Sequence, residues 1–407
     1  LRIKKHFNQN IALLSSFFLT TSFLLISEMH QAKTDGVLFL CINICILYLL
    51  KYVDNYEKKI QVKIKESYKV FFWFFAGIGS LIKGPILLIF VALPLLSFSI
   101  FKKNFFLFRS IHSYFGYALY LIIVVPWFVI ISKISGGSFW HESIINDLLN
   151  KVSSGQESHG FYPGYYFLLI FLLFWPGSIF LLDAIKYFFQ IRKNIIKLQP
   201  KILFLICCFL PGFVFYELIP TKLPHYILPT YPALGVLISI YLQSNKNSLI
   251  LKKSNYFFLL IFPITFTCIY IYANYQYTEL KLSAIILSLV FIIIIFLMID
   301  LLKKNSLRKW LIITGTSQLI FYLSLVYSLN PNLEKFWIAQ NIERFISQDE
   351  NKSRNIFHSG FNEPSLVFLI GHKASRLAPD LMIEQSKNYK NNVFILTEEK
   401  NTIFLEN

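Results

Sequence analysis

The chain has 407 residues, of which 55% are hydrophobic, 18% aromatic and only 15% charged, and its mean hydropathy is +0.55. Soluble domains carry about a quarter charged residues, so this composition excludes a water-soluble enzyme and places the chain in a membrane. The formal net charge of +17 needs no nucleic acid, because the basic residues gather in the short segments between apolar runs.

Apolar runs near 11–27, 36–50, 114–132, 165–185, 202–218, 226–242, 256–273, 281–301 and 310–328 are each expected to cross roughly 30 Å of hydrocarbon. The stretch 70–101 is interrupted at Lys83-Gly84-Pro85 and is divided into half-helices 70–82 and 86–101. The expected fold class is therefore an all-α polytopic membrane protein of about eleven transmembrane or half-spanning helices. Domain boundaries are expected at 1–328 for the membrane part and 329–407 for a small α/β domain outside it. With the first ten residues inside, alternate loops hold 24 of the 39 Lys and Arg residues and the opposite loops hold 6. That bias orients the chain, with Lys83 and Lys222 on the outer side.

Taken in order, the first run follows a basic segment, LRIKKHFNQN, and is a full span rather than a signal peptide. The first outer loop carries Glu28, His30 and Asp35 within eight residues. Acidic groups at a membrane face are costly unless solvated or paired, and they mark functional sites. Thr34 or Asp35 also fits as the N-cap of the next helix. At the next break, Lys83 precedes Pro85, which suits the first turn of a helix. The lysine and the helix N-terminus together favour an anion, although a lysine snorkelling at a hairpin tip has the same sequence.

The long outer loop 133–164 holds His141, Glu142, Asp147, Glu157 and His159, with helical spacing of apolar residues over 139–152. That segment is expected to lie as an amphipathic helix on the membrane. Glu157 and His159 are of types that ligate zinc or manganese; a loop that merely hydrogen-bonds uses the same residues. Between runs 202–218 and 226–242 lies IPTKLPHYILPTYPALG, where Pro220, Pro224, Pro229 and Pro232 break any regular helix. Lys222 and His225, flanked by Tyr226 and Tyr231, form a cationic pair at the membrane boundary that suits a phosphate headgroup. A turn with a snorkelling lysine is the plain alternative. All five cysteines fall in spans, so no disulfide is expected. The tail shows β-like runs at 355–358, 365–370 and 392–397, and helical spacing over 336–346.

The stretches SEMHQAKTDGVLFL, GIGSLIKGPILLIF, SGQESHGFYPGYYFLLIFLLFWPGSIFL and TKLPHYILPTYPAL, in this order, resemble the bacterial aminoarabinose transferases and the protein O-mannosyltransferases. These are polytopic glycosyltransferases of the GT-C class. The resemblance implies transfer of a sugar from a polyprenyl-phosphate donor to a lipid, glycan or protein acceptor, lipid A among them. The implied location is the periplasmic face of the bacterial inner membrane, with the C-terminal domain on the same side. The chemistry is displacement at the anomeric carbon, needing a carboxylate to activate the acceptor and cations to hold the phosphate.

Carried over residue by residue, the resemblance makes Asp35 the catalytic carboxylate near the sugar and Lys83 a phosphate-binding lysine. Lys222, His225 and Tyr226 belong to the substrate-binding motif. His159, with Glu157, is a contact for a divalent metal (zinc, manganese or magnesium), the one cofactor implied. The family's first-loop acidic residue and its acidic-lysine-proline element have no counterpart here, and the chain starts at Leu1 rather than Met. The expectation is a chain that lacks the N-terminal part of the family. Two further readings stay open: a catalytically inactive remnant, and a lipid-phosphate transporter or flippase.

Overall fold

A computed structural model of the protein describes residues 2–58, 65–149, 162–191, 199–244, 253–277, 281–304, 306–347, 355–359, 364–371, 374–377, 381–382 and 392–396. The chain forms two units, Leu1–Thr267 with Val290–Gln318, and Cys268–Leu289 with Leu319–Asn407.

In the first unit the main helices are α1 (Gln9–Thr20), α2 (Phe23–Met29), α3 (Asp35–Glu57), α4 (Glu66–Lys83), α5 (Ile86–Lys102), α6 (Tyr114–Ser135), α7 (Tyr165–Leu173), α8 (Leu181–Ile191), α9 (Pro200–Leu218) and α10 (Tyr231–Ser244). Helices α11 (Lys253–Tyr277), α12 (Lys281–Lys303) and α13 (Leu307–Ser324) follow. Among the described residues, six helical stretches are long and apolar enough to cross a membrane, or eight when two bent pairs each count as one span. The expected eleven included half-spanning helices, which a count of full spans leaves out; shorter apolar helices run over Ile86–Lys102 and Ile285–Leu301.

Two of the expected spans are broken. Run 11–27 becomes α1 and α2, bent by 61°. The bend falls where the Thr21 and Ser22 hydroxyls donate back to the Phe17 and Leu19 carbonyls at 2.6 and 2.7 Å, a local competition that bends helices. Run 165–185 becomes α7 and a following helix at 120°. Pro176 lacks the donor that would continue α7, and the residue before a proline avoids helical geometry. The break expected at Lys83-Gly84-Pro85 is present between α4 and α5. Gly84 takes φ +59°, which glycine adopts at little cost. Of the segment expected to be amphipathic over 139–152, the structure describes a helical turn at Ser138–Trp140 continuing into a wider, π-type turn at His141–Leu149.

Helix α3 buries Leu38, Cys41, Ile42, Cys45, Leu49 and Val53, a stripe at helical spacing that packs against α4, α5 and α9. Its far end is held by charge. Asp54 is 5% exposed. Its carboxylate lies 3.0 Å from His6 Nδ1, 3.0 Å from Lys58 Nζ and 3.1 Å from Lys201 Nζ. Lys201 Nζ also donates to the His6 carbonyl at 2.8 Å and lies 3.7 Å from Glu57. The group ties the N-terminal segment and the start of α9 to the end of α3.

After α9 the chain turns through Ile219–Leu223 into a 3₁₀ helix, Pro224–Thr230, and then α10. The expected span 226–242 is thus helical from Pro224, with its first two turns tightened around Pro229. Lys222 organises this turn. It is 1% exposed, and its ammonium donates to the carbonyls of Ile219 at 2.7 Å, Tyr216 at 3.3 Å and Glu217 at 2.5 Å. These are carbonyls at the end of α9 that the helix itself leaves without donors. The ammonium also stands 5.5 Å from the centre of the Tyr166 ring. Burial pushes the Lys222 pKa below its ordinary value, and the Glu217 carboxylate opposes that shift.

In the second unit, β1 (Asn355–Ser359), β2 (Ala374–Arg376) and β3 (Asn392–Leu396) form a parallel sheet in the order β2-β1-β3. Ile356 pairs with Ala374 on one side and Val393 on the other. Helices α14 (Ile338–Ile346) and α15 (Pro364–Ile370) share a core of Ala339, Ile342, Ile346, Ile356, Leu366 and Ile370. The run 365–370, expected as a strand, is therefore helical. A short apolar run does not distinguish the two states, and Pro364 at the first helical position favours the helix.

Two stability predictions follow from these contacts. Asp54→Ala leaves Lys201 buried without its main counter-charge and is expected to cost about 3 kcal/mol, read as a lower thermal midpoint of the purified protein. The same measurement on Lys222→Met is expected to show a loss of about 2–3 kcal/mol, because the carbonyls it serves lose a charged donor.

Candidate functional site

Asp35 opens α3. Thr34 makes no side-chain cap bond, so capping does not account for the Thr34–Asp35 pair. The Asp35 carboxylate instead reaches Lys83 at the end of α4. Lys83 Nζ donates to Asp35 Oδ1 at 2.6 Å, and His225 Nε2 lies 3.8 Å from the same oxygen. The side chains of Asp35, Lys83 and His225 are 12%, 29% and 11% exposed. Helix ends favour this placement, since an N-terminus stabilises the carboxylate and a C-terminus the ammonium.

Asp35, Lys83, His225, Tyr226, Tyr216 and Phe90 line a small cavity of about 20 Å³. Its aromatic wall is ordered by ring contacts. Phe90 stacks on Tyr216 with centroids 5.3 Å apart, and Tyr216 lies 5.3 Å from Tyr226. The structure thus brings together four expected residues, Asp35, Lys83, His225 and Tyr226, from three separate parts of the sequence. Lys222 belongs to the same loop as His225, but its ammonium is taken up by the α9 carbonyls. Glu157 and His159 lie outside the described residues. Among the described residues no group of three or more His, Cys, Asp or Glu side chains is arranged to hold a metal.

His30 bonds back to the Ile26 carbonyl at 2.8 Å on its own helix and is exposed. His141 and Glu142 are exposed, and the Asp147 side chain lies outside what is described. A residue that sequence reasoning missed is Glu217. Its carboxylate accepts from the Gly164 amide and, at 3.0 Å, from the Tyr166 amide. It thereby serves the start of α7, where backbone donors are unsatisfied. The Tyr166 hydroxyl then donates to the Leu223 carbonyl at 3.0 Å, so α7 and the His225 loop are fixed together. The signal was an acidic residue within an apolar run, which is rarely idle in a membrane.

A second cavity, of about 260 Å³, lies between α8, α9 and α10 and is lined by apolar side chains such as Phe188, Leu203, Ile206, Leu234 and Leu237. Cys207 also lines it.

Comparison with known proteins agrees with this architecture. Residues 1–130 match the family model of dolichyl-phosphate-mannose-protein mannosyltransferases. An uncharacterised protein of Aquifex aeolicus is 28% identical over 170 residues, 42% of this chain and 37% of that protein. The undecaprenyl phosphate-alpha-4-amino-4-deoxy-L-arabinose arabinosyl transferase 2 of Proteus mirabilis is 23% identical over 239 residues, 58% of this chain and 40% of that protein. The matched stretches therefore span well under half of these two relatives. The crystal structure of ArnT from Cupriavidus metallidurans bound to undecaprenyl phosphate shares the fold, with TM-score 0.70 and 18% identity over 97% of this chain and 72% of that one. Its apo structure gives the same TM-score of 0.70 at 17% identity. Residues 1–130 are thus similar to the dolichyl-phosphate-mannose-protein mannosyltransferase family, and the chain shares the fold of the ArnT structures.

Proposed function

We propose that the Asp35–Lys83–His225 group is the polar end of a site for a polyprenyl-phosphate-linked sugar. The chain transfers that sugar to a lipid, glycan or protein acceptor at the periplasmic face of a bacterial inner membrane. The observation that carries the reading is the convergence of two basic side chains on one carboxylate oxygen, Lys83 at 2.6 Å and His225 at 3.8 Å, where α3, α4 and the His225 loop meet. Support for the outer face is the loop charge bias of 24 against 6 basic residues.

An ammonium has three donors. One serves Asp35, and two remain for a phosphate placed against Lys83. In the transfer step the bond from the anomeric carbon to the acceptor oxygen forms as its bond to the phosphate oxygen breaks. The electron pair leaves on the polyprenyl phosphate, where Lys83 and His225 offset the developing charge. Asp35 holds Lys83 in place and is the carboxylate nearest the reacting centre to receive the acceptor's proton. Tyr226 and Tyr216, with rings tilted 44° to each other, give the sugar an aromatic wall. Lys222 acts at one remove, by fixing the loop that presents His225. A divalent metal at Glu157 and His159 belongs to this reading through the family resemblance alone. If one is used, chelator treatment lowers transfer by the wild type and leaves the residual rate of His159→Ala unchanged.

The test is transfer of labelled sugar from a polyprenyl-phosphate donor in membranes containing the full-length protein. Lys83→Ala is expected to lower kcat/KM at least about a hundredfold; an unchanged rate would remove Lys83 from the site. The double substitution Asp35→Asn with Lys83→Met removes both charges together. It is expected to keep the thermal stability that either single change loses, while transfer stays abolished. Recovery of transfer in the double variant would show that the pair is structural only.

A further inference from the structure

Beside the Asp35–Lys83–His225 group stands a buried carboxylate with an oxygen that no donor among the described residues serves. Glu28 lies in the last turn of α2 and is 6% exposed. Its Oε2 has no hydrogen-bond partner among the described residues. A helix C-terminus is the unfavourable end for a negative charge, so Glu28 does not serve its own helix. Helix α2 packs against the 3₁₀ segment that carries His225 and Tyr226, and against α3, which Asp35 opens. Glu28 stands within electrostatic range of Lys33, Lys83 and Asp35. Of these, Lys33 acts on it most strongly but donates no hydrogen bond to Oε2, and Lys83 already has Asp35 as its close partner at 2.6 Å.

A buried carboxylate oxygen without a donor costs free energy, and such an exception calls for an explanation. The missing group is a hydrogen-bond donor. It is not the phosphate, which repels a carboxylate. On the reading of the site given above, which this step rests on, the part of the donor that presents hydroxyl or amine hydrogens next to the phosphate is the sugar.

We infer that Glu28 binds the sugar of the donor, its Oε2 accepting from a hydroxyl or amine of that sugar while Lys83 and His225 hold the phosphate. Charge-assisted bonds of this kind are short and strong. A site built to accept a substrate O–H or N–H also discriminates against ligands that lack it.

The experiment compares two lipids on the purified full chain in detergent. One is bare undecaprenyl phosphate, and the other is the same lipid carrying 4-amino-4-deoxyarabinose or, in parallel, mannose. The wild type is expected to bind at least one sugar-bearing lipid more tightly than the bare one. Glu28→Leu is expected to weaken that sugar-bearing lipid about tenfold and the bare lipid less than twofold. Its thermal stability should be equal to or above that of the wild type, because an unpartnered buried charge is removed. Glu28→Gln, which keeps a neutral acceptor of the same shape, is expected to fall between the two.

A Glu28→Leu protein that keeps the wild-type preference, or that weakens both lipids equally, would overturn the inference. So would a wild type with no preference between the lipids. Should Glu28→Leu fail to fold, the ratio measured on Glu28→Gln decides: a ratio equal to that of the wild type counts against a sugar contact. Binding of bare undecaprenyl phosphate by Lys83→Ala reads the underlying site separately. If that affinity is unchanged, the phosphate site itself is wrong, whatever Glu28 does.

Discussion

A charged side chain in this protein must lie at a helix end or be paired, because the hydrocarbon offers it neither water nor counter-ion. Helix α3 shows how the constraint is met. Its acidic groups stand at its two ends: Asp35 in the first turn, and Asp54 with Glu57 in the last. The helix rise puts Asp35 and Asp54 about 28 Å apart, close to the thickness of a hydrocarbon core. At one end the partners are Lys83 and His225, and at the other His6, Lys58 and Lys201. Between them the helix buries Leu38, Cys41, Ile42, Cys45, Leu49 and Val53. The two ionic groups therefore pin α3 at both ends against α4 and α9, and an apolar stripe supplies the contact in between.

The two groups differ in how closely they are paired. Asp54 faces three basic side chains, and Lys201 is shared with Glu57 and the His6 carbonyl. That network closes on itself and reads as structure. At the other end Lys83 meets one carboxylate, with His225 at a longer 3.8 Å from the same oxygen. Each end holds one more basic than acidic side chain, so the difference lies in distance: every basic group at Asp54 stands within 3.1 Å of its carboxylate, whereas His225 stands 3.8 Å from Asp35. The same electrostatic rule thus gives a clamp at one end of α3 and a candidate anion site at the other.

Much of this was legible in the residues, for stated reasons. Lys83-Gly84-Pro85 announces a break because each of the last two residues has one backbone consequence, positive φ for Gly84 and a missing donor for Pro85. The assembly of Asp35, Lys83, His225 and Tyr226 around one cavity followed from the family motifs. Spacing alone left each of these residues with a plain alternative. What stayed hidden depended on direction. The position of Lys222 in a proline-rich loop did not reveal that its ammonium turns back onto the carbonyls of Tyr216, Glu217 and Ile219. The bend at Thr21 and Ser22 was equally silent, since hydroxyls that bond back to a helix leave the hydropathy pattern intact. Pro176 did carry a signal, which the length of the apolar run outweighed.

The position of Lys222 bears on how the site keeps its geometry. His225 lies three residues beyond it, at the start of a 3₁₀ turn whose backbone donors are thinned by Pro224 and Pro229. Such a segment holds its shape poorly on its own hydrogen bonds. Here it is fastened from outside. Lys222 binds the end of α9, Tyr166 donates to the Leu223 carbonyl, and Glu217 ties the start of α7 to that same end of α9. A fully buried ammonium is costly, and a looser loop would have no need of it. The cost is explained if His225 must stand at a fixed distance from Asp35 and Lys83. On this argument Lys222 is a positioning residue, which holds the imidazole of His225 in place.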